Sequence, residues 1–321
     1  MTEITKVSII MPTYNGEKNI IEQLDSLKAQ SYPIHEVIMK DDGSTDKTVQ
    51  IIQNYINKYS LKGWRIEKNQ INLGWRDNFF EGLNSATGEL IFPSDQDDIW
   101  EKNKIKNMVQ VFKKHPRANV VISDYDELIE DGGISYPCSK RKINHVKDNQ
   151  IIFTKKNVYL NRPGWVYGIR KSFMDEINLY KETAITPVHD ITMWSTAVLT
   201  DSLYYLNQVT GTWRKHGESA IREENGKDSV FNKRQIRLAK LNRLKEITIS
   251  DILYIKNTKR KIENKEAKIS QLNALIREYD RRMEIIDKEK LSLILFNLPQ
   301  YTSLHPIIAD IYFLIKNKGE N

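Results

Sequence analysis

The sequence predicts an α/β fold, in which a mostly parallel sheet is flanked by helices and followed by a helical C-terminal region. Three observations lead to this prediction. Short apolar runs that end in turn residues alternate with segments of helical periodicity through the first hundred residues or so. Acidic residues follow two of those runs, at the edge where parallel sheets bind ligands. Beyond Val230 the helical pattern is almost continuous.

Four strands are predicted from apolar runs that stop at Pro, Gly or Asp. These runs are Val7–Met11, Glu36–Met39, Trp64–Glu67 and Leu90–Phe92. The segments between them repeat apolar residues at helical spacing and predict three helices, within 20–30, 44–56 and 78–86. A further helix is expected to start near Trp100. The alternation of strand and helix indicates parallel pairing, because each return crosses the sheet.

Length and composition describe an ordinary globular protein. The 321 residues, 40% of them hydrophobic and 28% charged, predict two domains or one large domain with an appendage, and exclude a fibre or a disordered tail. Cys138 is the single cysteine, so neither an internal disulfide nor a cysteine zinc site is expected. No basic stretch precedes the first apolar run, and no apolar stretch approaches the roughly 20 residues of a spanning helix. The expectation is a cytoplasmic protein.

The positive charge is concentrated at the C-terminal end of the chain. The net charge is +7, and the segment from Val230 onward holds nineteen Lys and Arg against eleven Asp and Glu. Such a basic surface suits anionic lipid or nucleic acid, and an ordinary solvated helical face is the alternative.

Two clusters of aspartates follow predicted strands and suggest a site for a cation. Asp41-Asp42 follows the second strand, and Asp95-Gln96-Asp97-Asp98 follows the fourth. Three carboxylates within four residues repel one another, so a divalent ion with oxygen ligands suits the second cluster. The alternative is an acidic turn leading into a helix. The sequence contains neither G-x-G-x-x-G nor a Walker A motif, so an acid-bound metal ion is the expected means of holding a diphosphate.

Several segments, in order and spacing, resemble the family 2 glycosyltransferases of the GT-A fold. They are VSIIMPTYNG at 7–16, VIMKDDGSTD at 37–46, Asn72-Leu73-Gly74 leading to Asn78, GELIFPSDQDDIW at 88–100, GWVYG at 164–168, His189-Asp190, and WRKHG at 213–217. The resemblance implies a GT-A catalytic domain over residues 1–228, with a donor-binding half of about 1–100 and an acceptor-side half of about 101–228. A basic helical region would then cover residues 229–321.

The resemblance also implies an activity. Inverting members of this family move a sugar from a nucleotide diphosphate to an acceptor hydroxyl in one displacement. Asp42 matches the aspartate that binds the pyrimidine, and a carboxylate accepts from the ring N–H of uracil or thymine, which favours a UDP- or dTDP-sugar. The expected acceptor is a glycan, a glycoprotein or a lipid-linked sugar in the synthesis of cell-surface polysaccharide or glycoconjugate. The Asp-Gln-Asp-Asp-Ile-Trp form resembles members that add rhamnose and others that add hexoses.

Roles for individual residues are carried over from the family's motifs. Donor binding is assigned to Pro12, Tyr14, Glu17, Asp42, Arg76, Asp95, Gln96 and Arg214. Metal binding, by Mn²⁺ or Mg²⁺, is assigned to Asp97, Asp98 and His216, with Asp97 the first choice among the carboxylates. Asp190 matches the base that takes the acceptor proton. Gly164, Trp165 and His189 are expected on the acceptor side, with Trp75 and Trp100 as further aromatics near the site, and the polar segment 218–228 is expected to act as a lid.

The C-terminal third shows a heptad pattern. Ile255, Ile262, Ile269, Ile276 and Met283 recur every seven residues. The seam can pack on a neighbouring helix, on a second copy in a homo-oligomer, or on the catalytic domain. The apolar tail 291–315 can lie in a membrane interface, giving peripheral contact at the inner face of the membrane, or be buried in a dimer. No nucleic-acid partner is expected.

Two other classes of function remain open from the sequence. A nucleotidyltransferase would share the sheet and the acidic metal site, but would be expected to show a glycine-rich basic loop after its first strand, where this chain has only Gly16 and Lys18. A non-catalytic protein whose helical C-terminus mediates assembly would need no base at Asp190.

Overall fold

A mixed sheet of ten strands forms the centre of the computed structural model, which describes residues 4–130, 143, 146–159, 162–216, 232–301 and 303–316. The strands are β1 (Val7–Thr13), β2 (Glu36–Asp41), β3 (Trp64–Lys68), β4 (Leu90–Pro93), β5 (Ile99–Trp100), β6 (Val120–Ile129), β7 (Val146–Lys147), β8 (Gln150–Ile151), β9 (Tyr167–Arg170) and β10 (Leu203–Lys215). Their order in the sheet is β3-β2-β1-β4-β9-β6-β10-β8-β7, and β5 pairs with β10.

Helices cover the sheet and continue beyond it. They are α1 (Ile20–Lys28), α2 (Thr48–Tyr59), α3 (Trp75–Ser85), α4 (Lys104–Lys114), α5 (Met174–Thr183), α6 (His189–Leu199), α7 (Lys233–Asn257), α8 (Lys265–Lys288), α9 (Ser292–Asn297) and α10 (Leu304–Lys316). The strands β1, β2 and β4 are buried along almost their whole length, as expected for parallel strands covered on both faces.

The direction of the strands brings several loops to one edge of the sheet. β1 to β4 pair in parallel, and β6 runs in the same direction because the antiparallel β9 lies between it and β4. β10 pairs with β6 in parallel. The carboxyl ends of β1, β2, β4, β6 and β10 therefore lie along one edge, where α/β sheets place ligands.

The predicted mixed, helix-flanked sheet and its first four strands are confirmed. The helix predicted to start near Trp100 begins four residues later, at Lys104. Ile99–Trp100 instead forms β5, which pairs with Gly211 and Thr212. The short strand satisfies backbone groups that a helix starting at Trp100 would leave unpaired against β10. The predicted lid at 218–228, Cys138 and the boundary at 228–229 lie outside the described residues.

The C-terminal helices pack on the rest of the chain. α7 and α8 lie against each other, with Lys245 Nζ 2.5 Å from Asp280 Oδ1. α7 also contacts α5, where the buried Tyr254 hydroxyl donates to Glu176 Oε2 at 2.6 Å. Leu272 of the heptad region is fully buried in the main core. Of the described helices, none has the combination of length and apolarity needed to cross a bilayer.

Candidate active site

The loop after β4 carries the acidic cluster and is fixed from below. Ser94, fully buried, donates its backbone N–H to the Ile10 carbonyl at 2.8 Å and accepts the side-chain amide of Gln23 at 2.6 Å. These contacts join the loop to β1 and to α1. Asp95, Gln96, Asp97 and Asp98 therefore leave the sheet from a rigid base.

Gln96 connects the acidic loop to the exit of β1. Its side-chain oxygen accepts from the Tyr14 N–H at 3.0 Å, and its side-chain amide donates to the Tyr14 carbonyl at 2.9 Å. A Cβ on Gly16 would lie 2.7 Å from the Gln96 amide carbon, so glycine is needed for this approach. The clamp fixes the backbone of Tyr14 and leaves about half of its side chain exposed.

Asp42, at the exit of β2, holds the loop before α3. Its buried carboxylate accepts backbone N–H groups from Leu73 and Gly74 and the side-chain amide of Asn69, each at 2.8 Å. An ionised carboxylate has about four acceptor positions, so one remains for a ligand. Gly74 has φ of 77°, in the left-handed region that favours glycine.

Three other residues predicted on the donor side lie close in sequence to the loops that carry Tyr14 and Asp42 or follow them. Pro12 is in β1. Glu17 follows it and accepts the Lys47 N–H at 2.9 Å, at the start of α2. Arg76 lies in the first turn of α3, with its guanidinium carbon 4.6 Å from the centre of the Trp75 ring.

Asp97 and His216 meet across the site. His216 follows β10, and its Nε2 lies 2.8 Å from Asp97 Oδ2. The contact joins the exit of β4 to the exit of β10, 119 residues apart in sequence. Neither side chain is fully buried.

The Asp97–His216 pair fits a divalent metal ion. A carboxylate and an imidazole are acceptable Mn²⁺ ligands, and Mg²⁺ or Mn²⁺ at phosphate sites commonly takes one or two protein ligands, with phosphate and water completing the shell. The described residues offer no group of three His, Cys, Asp or Glu side chains arranged around one point. The arrangement therefore suits an ion shared with a bound diphosphate.

Asp98 ties the acidic loop to β10. Asp98 is fully buried, and its Oδ1 accepts the backbone N–H of Arg214 at 3.0 Å. Burial and the nearby charges of Asp97 and Asp95 raise the pKa of Asp98 well above its ordinary value. Through Oδ1 the carboxylate anchors β10 beside the acidic loop, whereas Oδ2 has no hydrogen-bond partner in the described structure, and the assignment of Asp98 as a metal ligand stays a prediction.

Arg214 is enclosed by acceptors. Its Nε donates to the Asp97 carbonyl at 2.9 Å, and its two terminal nitrogens pair with Glu22 of α1 and Glu130 after β6. The side chain is nearly buried. The described structure thus shows the guanidinium neutralised by two carboxylates, and a diphosphate would have to replace one of them.

The charge of Asp190 affects the pKa of Asp95. Burial, the charge of Asp97 and the charge of Asp190 together raise the pKa of Asp95 above its ordinary value. The charge of Asp190, at the start of α6 and 95 residues further along the chain, thus acts on the acidic loop. The two sequence motifs therefore contribute to one site.

Asp190 lies in the first turn of α6. Its Oδ1 accepts the N–H of Ile191 at 2.7 Å, as an acid at a helix start does. Burial raises the pKa of Asp190 to about 6, although the Ile191 hydrogen bond and the charge of Arg243 oppose the rise. A carboxyl group with a pKa near 6 is ionised at neutral pH and basic enough to accept a proton.

His189 is a packing residue. It is buried, its ring stacks on Phe79 with centroids 3.8 Å apart, and neither ring nitrogen has a hydrogen-bond partner in the described structure. Burial lowers its pKa to about 3, so the ring is neutral. Gly164 lies directly against it, since a Cβ there would stand 2.6 Å from His189 Cδ2. In the described structure His189 and Gly164 set the position of the first turn of α6, and their assignment to the acceptor side stays a prediction.

Two of the three tryptophans expected near the site are buried in the core. Trp165 is fully buried against Tyr125, and Trp100 is 3% exposed, so neither ring face is open to a sugar. Lys104 lies between them, with Nζ 4.7 Å from the Trp100 ring centre and 4.8 Å from that of Trp165. Trp75 keeps a partly exposed side chain at the start of α3 and contacts His189 edge-on.

Several residues that shape the site are absent from the sequence prediction. Glu22 and Glu130 pair with Arg214, and the charge of Arg243 lowers the pKa of Asp190. All three lie in distant segments outside the motifs, so the motifs do not indicate them. Lys104 resembles an ordinary solvated lysine in sequence, yet it is buried and donates to Thr210 Oγ1 at 3.1 Å. Burial lowers its pKa to about 7. Tyr167 belongs to the GWVYG motif at 164–168, and its buried hydroxyl has no hydrogen-bond partner in the described structure.

Comparison with protein families matches residues 8–177 to the model described as Glycosyl transferase family 2. One curated relative is the poly(ribitol-phosphate) beta-N-acetylglucosaminyltransferase TarS of Staphylococcus aureus, 30% identical over 204 residues. The match covers 62% of this chain and 35% of TarS, so the chain spans about a third of the length of that relative.

Solved structures share the fold. The crystal structure of S. aureus TarS 1–349 in complex with UDP-GlcNAc superposes with a TM-score of 0.61 at 22% identity, covering 92% of this chain and 78% of that one. The mannosyltransferase PcManGT of Pyrobaculum calidifontis, in complex with GDP-Man and Mn²⁺, gives a TM-score of 0.55 at 15% identity, covering 97% and 80%. Both are GT-A glycosyltransferases, and the fold of this chain is GT-A.

The contact between Gly164 and His189 predicts a compensating pair of substitutions. Gly164→Ala is expected to lower the free energy of unfolding by about 1–3 kcal/mol, because the added methyl overlaps the His189 ring. In Gly164→Ala/His189→Ala the loss should be smaller than the sum of the two single losses, since the methyl enters the space the ring leaves. Urea unfolding of the four proteins measures this. Additive losses would show that the two residues do not share that space.

Proposed function

The chain belongs to glycosyl transferase family 2, and from that premise we propose that it transfers a sugar from a nucleotide diphosphate sugar to an acceptor hydroxyl, with inversion at the anomeric carbon. Asp190 serves as the base, and Asp97 and His216 would hold a divalent metal ion. The observation that carries this proposal is the meeting of three distant segments at one sheet edge: the Asp97–His216 contact, and the charge of Asp190 acting on Asp95.

The proposed reaction is a single displacement. As the acceptor oxygen attacks the anomeric carbon, its proton passes to the Asp190 carboxylate, and the bond from that carbon to the diphosphate oxygen breaks with its electron pair. The products are the glycosylated acceptor and the nucleoside diphosphate. The raised pKa of Asp190, about 6, strengthens it as a base while leaving it ionised at neutral pH.

The leaving diphosphate needs positive charge beside it. A divalent ion held by Asp97 and His216 would supply Lewis-acid stabilisation to the departing oxygens. Arg214 adjoins the same loop, and its exchange of a carboxylate partner for a phosphate would bring a cation to the donor. The neighbouring Lys215 forms an ion pair with Glu127, with Nζ 2.7 Å from Oε1.

A pyrimidine donor, UDP- or dTDP-sugar, is proposed from the loops after β1 and β2. Tyr14 presents an exposed ring whose backbone Gln96 fixes, and such a ring can stack on a base. The remaining acceptor position of Asp42 suits the ring N–H of uracil or thymine. The TarS crystal structure contains bound UDP-GlcNAc, which supports a UDP-sugar donor. Its name, a transferase to poly(ribitol phosphate), supports an acceptor in cell-surface glycopolymer or polysaccharide synthesis.

Replacement of the base separates catalysis from donor binding. Asp190→Asn is expected to lower turnover by about 10²–10⁴-fold while UDP-sugar affinity stays within a factor of about two, because an amide cannot take the proton. Asp175→Asn is the matched control: it also removes a carboxylate from the first turn of a helix, and should keep full turnover. Release of UDP in the presence of acceptor, and calorimetric titration of donor, provide the two readouts. Undiminished turnover in Asp190→Asn would remove Asp190 from the mechanism.

The pH dependence should report the same group. We expect kcat/KM to rise with pH and level off above an apparent pKa near 6, since Asp190 must be ionised to accept a proton. Arg243 lowers that pKa through its charge, so Arg243→Gln should move the rising limb to higher pH. Lys240→Gln, on the same helix, should leave it in place. A limb unmoved by Arg243→Gln would contradict the placement of α7 beside the base.

A further inference from the structure

The last two helices expose large apolar side chains. Leu295 and Phe296 of α9 are 69% and 81% exposed, and Leu304, Ile308, Tyr312 and Ile315 of α10 are each at least 60% exposed. We refer to these six residues as the apolar face. Isolated apolar residues are normal on a protein surface, but six large and exposed ones on two consecutive short helices favour an interaction surface.

The apolar face follows one side of α10. Leu304, Ile308, Tyr312 and Ile315 are separated by four, four and three residues, which places them along a single stripe of the helix. The opposite side packs inward, where Leu314 is buried with Ile294. α10 is thus apolar on two sides, of which the protein covers one.

A buried ion cluster fixes which side faces outward. Asp310 of α10 is fully buried and receives hydrogen bonds from Arg237, from Arg282 Nε at 2.8 Å and from the Tyr301 hydroxyl at 3.1 Å. Rolling the helix to hide the apolar face would strip this carboxylate of two guanidinium partners, which is strongly unfavourable for a buried charge. The apolar face is therefore held outward by the fold.

The exposed charges within α9 and α10 and at their two ends are lysines. Asp310 is the single acidic residue between Lys290 and Lys316, and it is buried. Lys316 lies at the end of the face, with Nζ 3.2 Å from the Tyr312 hydroxyl, and Lys290 precedes α9. Two copies joined through this face would bring like charges together, whereas an anionic lipid surface would attract them.

We propose that the apolar face docks α9 and α10 onto an anionic lipid surface. Helices of this kind lie parallel to the bilayer, with apolar side chains buried at the boundary of headgroups and acyl chains and lysines at the phosphates. The proposal concerns attachment alone and does not depend on the proposed transferase activity.

Vesicle co-sedimentation of the full chain tests the proposal. Wild-type protein should bind vesicles of phosphatidylglycerol and phosphatidylcholine, and bind pure phosphatidylcholine more weakly. Leu295→Ser/Phe296→Ser and Ile308→Ser/Tyr312→Ser should each weaken binding at least roughly tenfold, because exposed apolar area supplies the attachment. Ile71→Ser, at a residue 70% exposed on the loop before α3, is the matched control and should bind as wild type.

Thermal unfolding and light scattering distinguish a loss of lipid binding from unfolding and from a change of oligomeric state. All substituted side chains are largely exposed, so thermal unfolding should match that of wild type. Light scattering reports the oligomeric state of each protein. Failure of the wild type to sediment, sedimentation unchanged in both double variants, or a dimer that the double variants disperse without any vesicle binding would each overturn the proposal.

Discussion

The confinement of negative charge at one edge of the sheet is the constraint on which the rest of the site depends. Asp95, Asp97, Asp98 and Asp190 lie close enough to affect one another, and burial with mutual repulsion raises the pKa of Asp95 and of Asp98. Such a group is stable only with compensating contacts. The imidazole of His216 at Asp97 and the backbone N–H of Arg214 at Asp98 supply two of them, and a divalent metal ion would meet the remaining demand for positive charge.

Long-range contacts keep this edge in register. Gln96 holds Tyr14, so the acidic loop and the loop after β1 move as one. Asp42 does the same for the loop before α3 through Leu73 and Gly74. Because each tie uses backbone groups, a bound donor would meet loops that are already positioned, and little conformational entropy remains to be lost on binding.

The sequence was sufficient for the fold but only partly for the site. Apolar runs and turn residues located β1 to β4, because hydrophobic periodicity is a local signal. The burial of Trp165 and His189 could not be predicted, since an aromatic residue in a motif has the same letter whether it lines a cleft or fills the core. Contacts such as Glu22 with Arg214, 192 residues apart, or the action of Arg243 on Asp190, arise only from tertiary packing. Motif spacing contains no information about them.

The most direct test of a metal-dependent donor site at Asp97 and His216 is a thermal-shift screen. The screen uses UDP-, dTDP-, GDP- and CDP-sugars with Mn²⁺, Mg²⁺ or chelator, on wild type and on His216→Ala. We expect one UDP- or dTDP-sugar to stabilise the wild type when metal is present, and chelator to remove most of that shift. His216→Ala should lose the metal-dependent part of the stabilisation. Stabilisation by no nucleotide sugar, or a shift that neither chelator nor His216→Ala changes, would contradict a donor site built on Asp97 and His216.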